Sequence, residues 1–168
     1  MMLLKDDRVN PSQGNNYPIR SASKDGHTAI VQILLQDKRV DPSAGDNYSI
    51  RLASKNRRTE VVQMLLEDKR VDPSADDNYA IRLASQYGNT EIVKILLNDK
   101  RVDPSASDNY AIRLASARGH IEIVERLLQD KRVDPSADDN YPIRLASHYG
   151  YIEIVTLLQN HKRWDISA

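Results

Sequence analysis

The sequence predicts an all-α solenoid of five stacked helix-turn-helix repeats joined by short loops. Three observations carry this. Asn-Tyr pairs recur at Asn16-Tyr17, Asn47-Tyr48, Asn78-Tyr79, Asn109-Tyr110 and Asn140-Tyr141, 31 residues apart each time; a fixed period of this size marks a repeat architecture. Each period holds two short segments with helical spacing of apolar residues. A glycine follows the first segment in four of the five units and a proline the second in four, residues that stop helices.

The units are 15–45, 46–76, 77–107, 108–138 and 139–168, and together they form one domain. Residues 3–12 match residues 34–43, so the lead-in over 1–14 reads as the tail of a partial N-terminal repeat. The third unit shows each element in order. Asn78 stands before the first helix, where its side chain is expected to cap by accepting a free backbone N–H. Residues 79–85 form that helix. Pro18 and Pro142 fall in the first turn of the equivalent helices, where a missing amide costs nothing. Gly88 ends the helix in a left-handed conformation. Residues 90–97 form the second helix, with Ile92, Val93, Leu96 and Leu97 as one broad apolar stripe. Residues 99–106 contain Pro104 and read as an extended or turning connector. Neither helix buries its stripe alone. Stacking does so, and at about 10 Å per helix pair five units span about 50 Å.

Composition narrows the function. Lys plus Arg total 24, Asp plus Glu total 24, and the formal net charge is zero, which argues against a nucleic-acid binder acting through bulk charge. The absence of cysteine excludes a disulfide scaffold, a cysteine nucleophile and a cysteine zinc site, and fits a reducing compartment. No apolar run approaches the roughly 20 residues of a membrane span, and residues 1–7 are too short for a signal peptide. An intracellular, cytoplasmic location without a membrane partner is expected. Phenylalanine is absent and tryptophan occurs once, so aliphatic side chains must build the core.

Catalysis finds no support. His27, His120, His148 and His161 have no metal-ligand spacing. Ser23, Ser54, Ser85, Ser116 and Ser147 recur with the repeat, as framework does and a single nucleophile does not. No glycine-rich phosphate loop occurs. The chain therefore reads as non-enzymatic, with no cofactor and no metal. The periodic Arg20, Arg51, Arg82, Arg113 and Arg144 read as a hydrogen-bonded structural row, partnered by the recurring Asp46, Asp77, Asp108 and Asp139, by Asp41, Asp72, Asp103 and Asp134, or by carbonyls. The Tyr17, Tyr48, Tyr79, Tyr110 and Tyr141 row reads as packing. Lys38-Arg39, Lys69-Arg70, Lys100-Arg101, Lys131-Arg132 and Lys162-Arg163 form a basic edge that could track phosphates or an anionic membrane. Asp37, Asp68, Asp99 and Asp130 precede four of these pairs and neutralise them locally, which favours a solvated loop.

The order Tyr110-Ala111-Ile112-Arg113-Leu114-Ala115, Gly119-His120, Glu122-Ile123-Val124, Leu127-Leu128 and Asp134-Pro135-Ser136-Ala137 resembles the ankyrin repeat, and it recurs in all five units. The resemblance implies helix pairs stacked into a curved array, and a monomeric protein–protein interaction module that offers a concave surface to a protein partner. The period of 31 is shorter than the family's usual length of about 33, so the hairpin fingers should be blunted. Gln159 replaces the Leu of Leu35, Leu66, Leu97 and Leu128, and Ser21 the Leu of Leu52, Leu83, Leu114 and Leu145. Both read as caps of a finished array, with Leu3-Leu4 covering the first unit.

Thirteen positions are identical in all five units. The pair before the glycine position differs in every unit: Lys24-Asp25, Lys55-Asn56, Gln86-Tyr87, Ala117-Arg118 and His148-Tyr149. The resemblance puts these on the concave groove, and Tyr87, Arg118 and Tyr149 are of the types enriched at binding hot spots. The rival readings are a structural spacer or scaffold, natural or engineered, and an anion or nucleic-acid binder along the Lys-Arg edge. Arg57 takes the glycine position of unit two. In a left-handed backbone it costs about 1 kcal/mol relative to Gly, so Arg57→Gly is expected to raise thermal stability.

Overall fold

A computed structural model describes residues 9–165, with side chains for 9–161. Ten helices follow one another among them: α1 (Gln13–Asp25), α2 (Thr28–Leu35), α3 (Ala44–Lys55), α4 (Thr59–Glu67), α5 (Ala75–Gln86), α6 (Thr90–Leu97), α7 (Ala106–Ala117), α8 (Ile121–Leu127), α9 (Ala137–His148) and α10 (Ile152–Asp165). No strand occurs among the described residues, so the fingers are blunted to turns. The chain is the expected all-α solenoid. Leu3-Leu4, and the side chains of Lys162-Arg163, lie outside the described residues.

The core is aliphatic and continuous through the stack. Ile81, Ile92, Val93 and Leu96 of the third unit are at most 1% exposed, each burial worth about 1.5–3 kcal/mol. Leu97 is only partly buried and packs against that core. The connectors also contribute: Val40, Val71, Val102 and Val133 are buried, and so are Pro42, Pro73, Pro104 and Pro135. First helices meet through small residues, with Ala53, Ser54, Ala84, Ser85, Ala115 and Ser116 fully buried. These let the first helices touch their neighbours far more extensively than the second helices do.

The start of each first helix departs from expectation. Asn78 is no side-chain cap at its own helix. Asp76, Asp77 and Asn78 instead form a left-handed turn, with φ of 54°, 52° and 59°. The same turn opens every first helix, on Gly, Asn, Asp and Ser, the residues that tolerate φ > 0 best being Gly, Asn and Asp. Two contacts hold it. Asn78 N–H donates to Ser74 O at 2.8 Å, and Asn78 Oδ1 accepts the N–H of Asp103, in the connector that follows α6, at 2.7 Å. Asn16, Asn47 and Asn109 accept from Asp41, Asp72 and Asp134 in the same way. The asparagine thus joins the start of one unit to the connector that closes it.

The connectors bind one another. Arg70 Nε and Nη2 meet the Asp68 carboxylate at 2.9 and 2.6 Å, while Nη1 donates to Val40 O at 2.8 Å in the preceding connector. Arg101 and Arg132 repeat this on Asp99 and Val71, and on Asp130 and Val102. Asp41, Asp72, Asp103 and Asp134 accept both the N–H and the hydroxyl of the serine two residues on. They are therefore not the partners of the helix-one arginines.

Candidate functional site

The variable pairs sit at the C-terminal ends of the first helices, where Lys24, Asp25, Lys55, Tyr87, Arg118, His148 and Tyr149 are exposed and Asn56, Gln86 and Ala117 half-buried. Equivalent positions of stacked helices fall in a row. The Lys55 ammonium lies 5.1 Å from the Tyr87 ring centroid across one unit junction. His148 meets Tyr149 edge-on at 4.8 Å, and Tyr149 lies 6.4 Å from Tyr151. Lys24 and Arg118 make no side-chain hydrogen bond or ion pair among the described residues.

The backbone under this row is fixed from the next unit. Glycines end four of the first helices in the left-handed region; the residue after the next unit's glycine position covers three of them, and Gly150, in the last unit, has nothing within 4 Å. Arg58 lies over Gly26, His120 over Gly88 and Tyr151 over Gly119, so close that a Cβ would come within 2.7, 2.7 and 2.5 Å. These residues also reach the helix-end carbonyls. Arg58 Nε donates to Lys24 O at 3.0 Å, and His120 Nε2 meets Gln86 O at 3.2 Å.

The junction of units two and three solves the same problem differently. Arg57 is left-handed at φ 58°. Its neighbour is the small Asn89, which leaves room for a side chain there. Asn89 Nδ2 donates to Ser54 O and Lys55 O at 2.6 and 3.0 Å, and its Oδ1 accepts from Arg57 Nε at 3.0 Å. That hydrogen bond, worth about 1 kcal/mol, offsets the backbone strain of about 1 kcal/mol. Arg57 is thus a compensated substitution, and the gain expected from Arg57→Gly alone disappears.

Beside the row runs a ladder. Arg51 stands between the rings of Tyr48 and Tyr79, 5.6 and 4.6 Å from their centroids. Arg82 stands between Tyr79 and Tyr110, and Arg113 between Tyr110 and Tyr141. The guanidinium groups also donate to the left-handed turns, at Asp46 O and Asp77 O. Their carboxylate partners are Asp76 and Asp138, at 3.1 and 3.5 Å. The ladder is structural, as its periodicity implied, but its ion pairs go to turn positions that carry Asp only in some units.

The Lys-Arg edge is half consumed. Each arginine of the second, third and fourth connectors is held by its aspartate and the preceding carbonyl, as above, and Arg39 likewise meets Asp37 and Val9 O. Lys38, Lys69, Lys100 and Lys131 stay exposed. Gln159 is exposed, and Ser21 bonds Asp25 at 3.4 Å. No group of His, Asp or Glu that could hold a metal occurs among the described residues, and no helix among them is long and apolar enough to cross a membrane.

A family model for ankyrin repeats, in three copies, matches residues 81–168, just over half of the chain. The protein belongs to the ankyrin-repeat family. Helices α1–α4, before that match, pair and stack as the later ones do. Ankyrin repeats are generally protein–protein interaction modules and typically non-enzymatic. A comparison with curated proteins gives no match.

Proposed function

We propose that this ankyrin array binds another protein through the variable row of its first helices, on the inner side of the curve. The observation that carries this is the combination of exposed, unit-specific side chains with a backbone that the following unit covers in units one to four. Arg58, Asn89 and His120 tie the helix-end carbonyls beneath the row. Little ordering entropy is then lost on binding. Tyr87, Arg118 and Tyr149 serve as anchors. The same reading takes the repeats as 15–45, 46–76, 77–107, 108–138 and 139–168 after the partial unit 1–14, in one monomeric domain without catalysis.

Affinity capture tests it, comparing the wild type with the triple variant Tyr87→Ala/Arg118→Ala/Tyr149→Ala, after circular dichroism shows both equally helical. A partner retained by the wild type and lost by the variant is expected. A partner held equally by both, or none, would move the function to another face or to a spacer.

A further inference from the structure

The variable row has a charge that the whole molecule hides. Its exposed ionised groups are Lys24, Lys55 and Arg118 against Asp25 alone. Asp25 sits at the first unit and bonds Ser21; from unit two the exposed Lys55 reaches over the Tyr87 ring at 5.1 Å, and from unit four Arg118 is exposed without a hydrogen bond or ion pair among the described residues. Between and beyond them stand aromatic rings: Tyr87, 45% exposed, and Tyr149, 56% exposed. A cationic, aromatic strip crossing four helices is complementary to one kind of ligand.

We propose that the partner docks as an extended acidic segment that places carboxylates on Lys55 and Arg118 and apolar or aromatic side chains on Tyr87 and Tyr149. This rests on the protein-binding reading above and names the chemistry of its ligand. Spacing refines it. Units repeat about every 10 Å and an extended chain advances about 3.3 Å per residue, so anchors recur about every third residue, and a segment of roughly twelve residues spans the row. Carboxylates are favoured over a phosphate backbone by the opposite edge of the same helices. There the left-handed turns present the exposed Asp46, Asp77, Asp108 and Asp139, beside Asp76 and Asp138, which are paired with Arg51 and Arg113. This acidic rim repels a uniformly charged polymer wider than the row, and an extended peptide is narrow enough to avoid it.

A displayed library of random twelve-residue peptides, selected on the full chain at 0.15 M salt, tests this. Enriched peptides should be net negative, with apolar residues about three positions from the acids. Their affinity should fall about ten-fold or more in Lys55→Glu/Arg118→Glu, and fall as salt is raised. A Lys38→Glu/Lys69→Glu control, on the other edge, should leave it unchanged. Neutral or basic winners, no winners, or winners insensitive to charge reversal in the row would overturn the proposal. So would a twelve-nucleotide single strand that competes as well as the peptides. A captured protein partner lost in the triple alanine variant, together with non-acidic winners, would leave the binding reading standing and sink this one. Failure of both would remove the row altogether.

Discussion

Gly88 and Arg57 share one backbone conformation in successive units, with φ of 70° and 58°. What differs is the neighbour above, a His120 ring over Gly88 and the amide of Asn89 beside Arg57. The two positions of each junction must therefore be matched. Asn89→His in the native background sets an imidazole against the Arg57 Cβ and should cost about 1–3 kcal/mol by overpacking. Arg57→Gly alone should change stability by under about 0.5 kcal/mol, since strain relief and the lost hydrogen bond nearly cancel. The double variant rebuilds the glycine–histidine junction and should recover most of the loss. Urea unfolding measures the cycle; a coupling below about 0.5 kcal/mol would show the two sites to be independent. The sequence exposes Arg57 as a missing glycine. It hides the compensation, because the partner lies 32 residues away and matters only once the stacking register is known. Asn78 departs from its expected role for a related reason. Its residue type suits a cap, and only the folded unit shows that its side-chain Oδ1 accepts from Asp103, 25 residues on, in the connector that closes the same unit.

At the scale of elements, boundaries were legible wherever a local signal existed. The second helix of unit three spans Thr90–Leu97 as its periodicity and the preceding Gly88 imply. The left-handed opening turns were not legible, since most of their residues are not glycine and their strain is relieved by contacts with other segments. Two predictions belong here. Ser54, Ser85 and Ser116 are fully buried with hydroxyls that find no partner; close helix packing needs their size and not their polarity. Ser85→Ala should therefore stabilise by about 1 kcal/mol, read from the urea midpoint; a loss of similar size would mean that the hydroxyl is satisfied in solution. The connectors set acid stability. The side-chain hydrogen bond from the paired arginine, helped by its backbone N–H, holds the Asp68, Asp99 and Asp130 carboxyls below their ordinary value, and lowers Asp37 to about 2. Folded values below the unfolded one, about 3.9, give stability that is complete above that pH and lost as pH falls through the folded values. Unfolding free energy should hold steady above pH 5 and decline between about pH 4 and 2. Asp99→Asn keeps an acceptor for Arg101 but not the charge. It should be less stable at pH 7 and show a shallower acid decline; an unchanged acid profile would separate the connectors from acid unfolding.

For the whole molecule, a net charge of zero is accurate and uninformative. The charges are sorted by place: arginines consumed between connectors and between tyrosine rings, acids along the opening turns, and a short cationic, aromatic row at the helix ends. Family and fold were legible because a repeat writes its framework five times. The variable row was legible as the remainder of that framework, while its support from the next unit depends on three-dimensional register. The central claim is that this row is the binding surface. Amide chemical-shift mapping on isotope-labelled protein, titrated with a captured partner segment or a selected peptide, tests it most directly. The account predicts shifts concentrated at residues 55–58, 86–89, 117–120 and 148–151, with the second helices unmoved. Shifts concentrated along the connectors at Lys38, Lys69, Lys100 and Lys131, or on the outer faces of α4, α6 and α8, would contradict it.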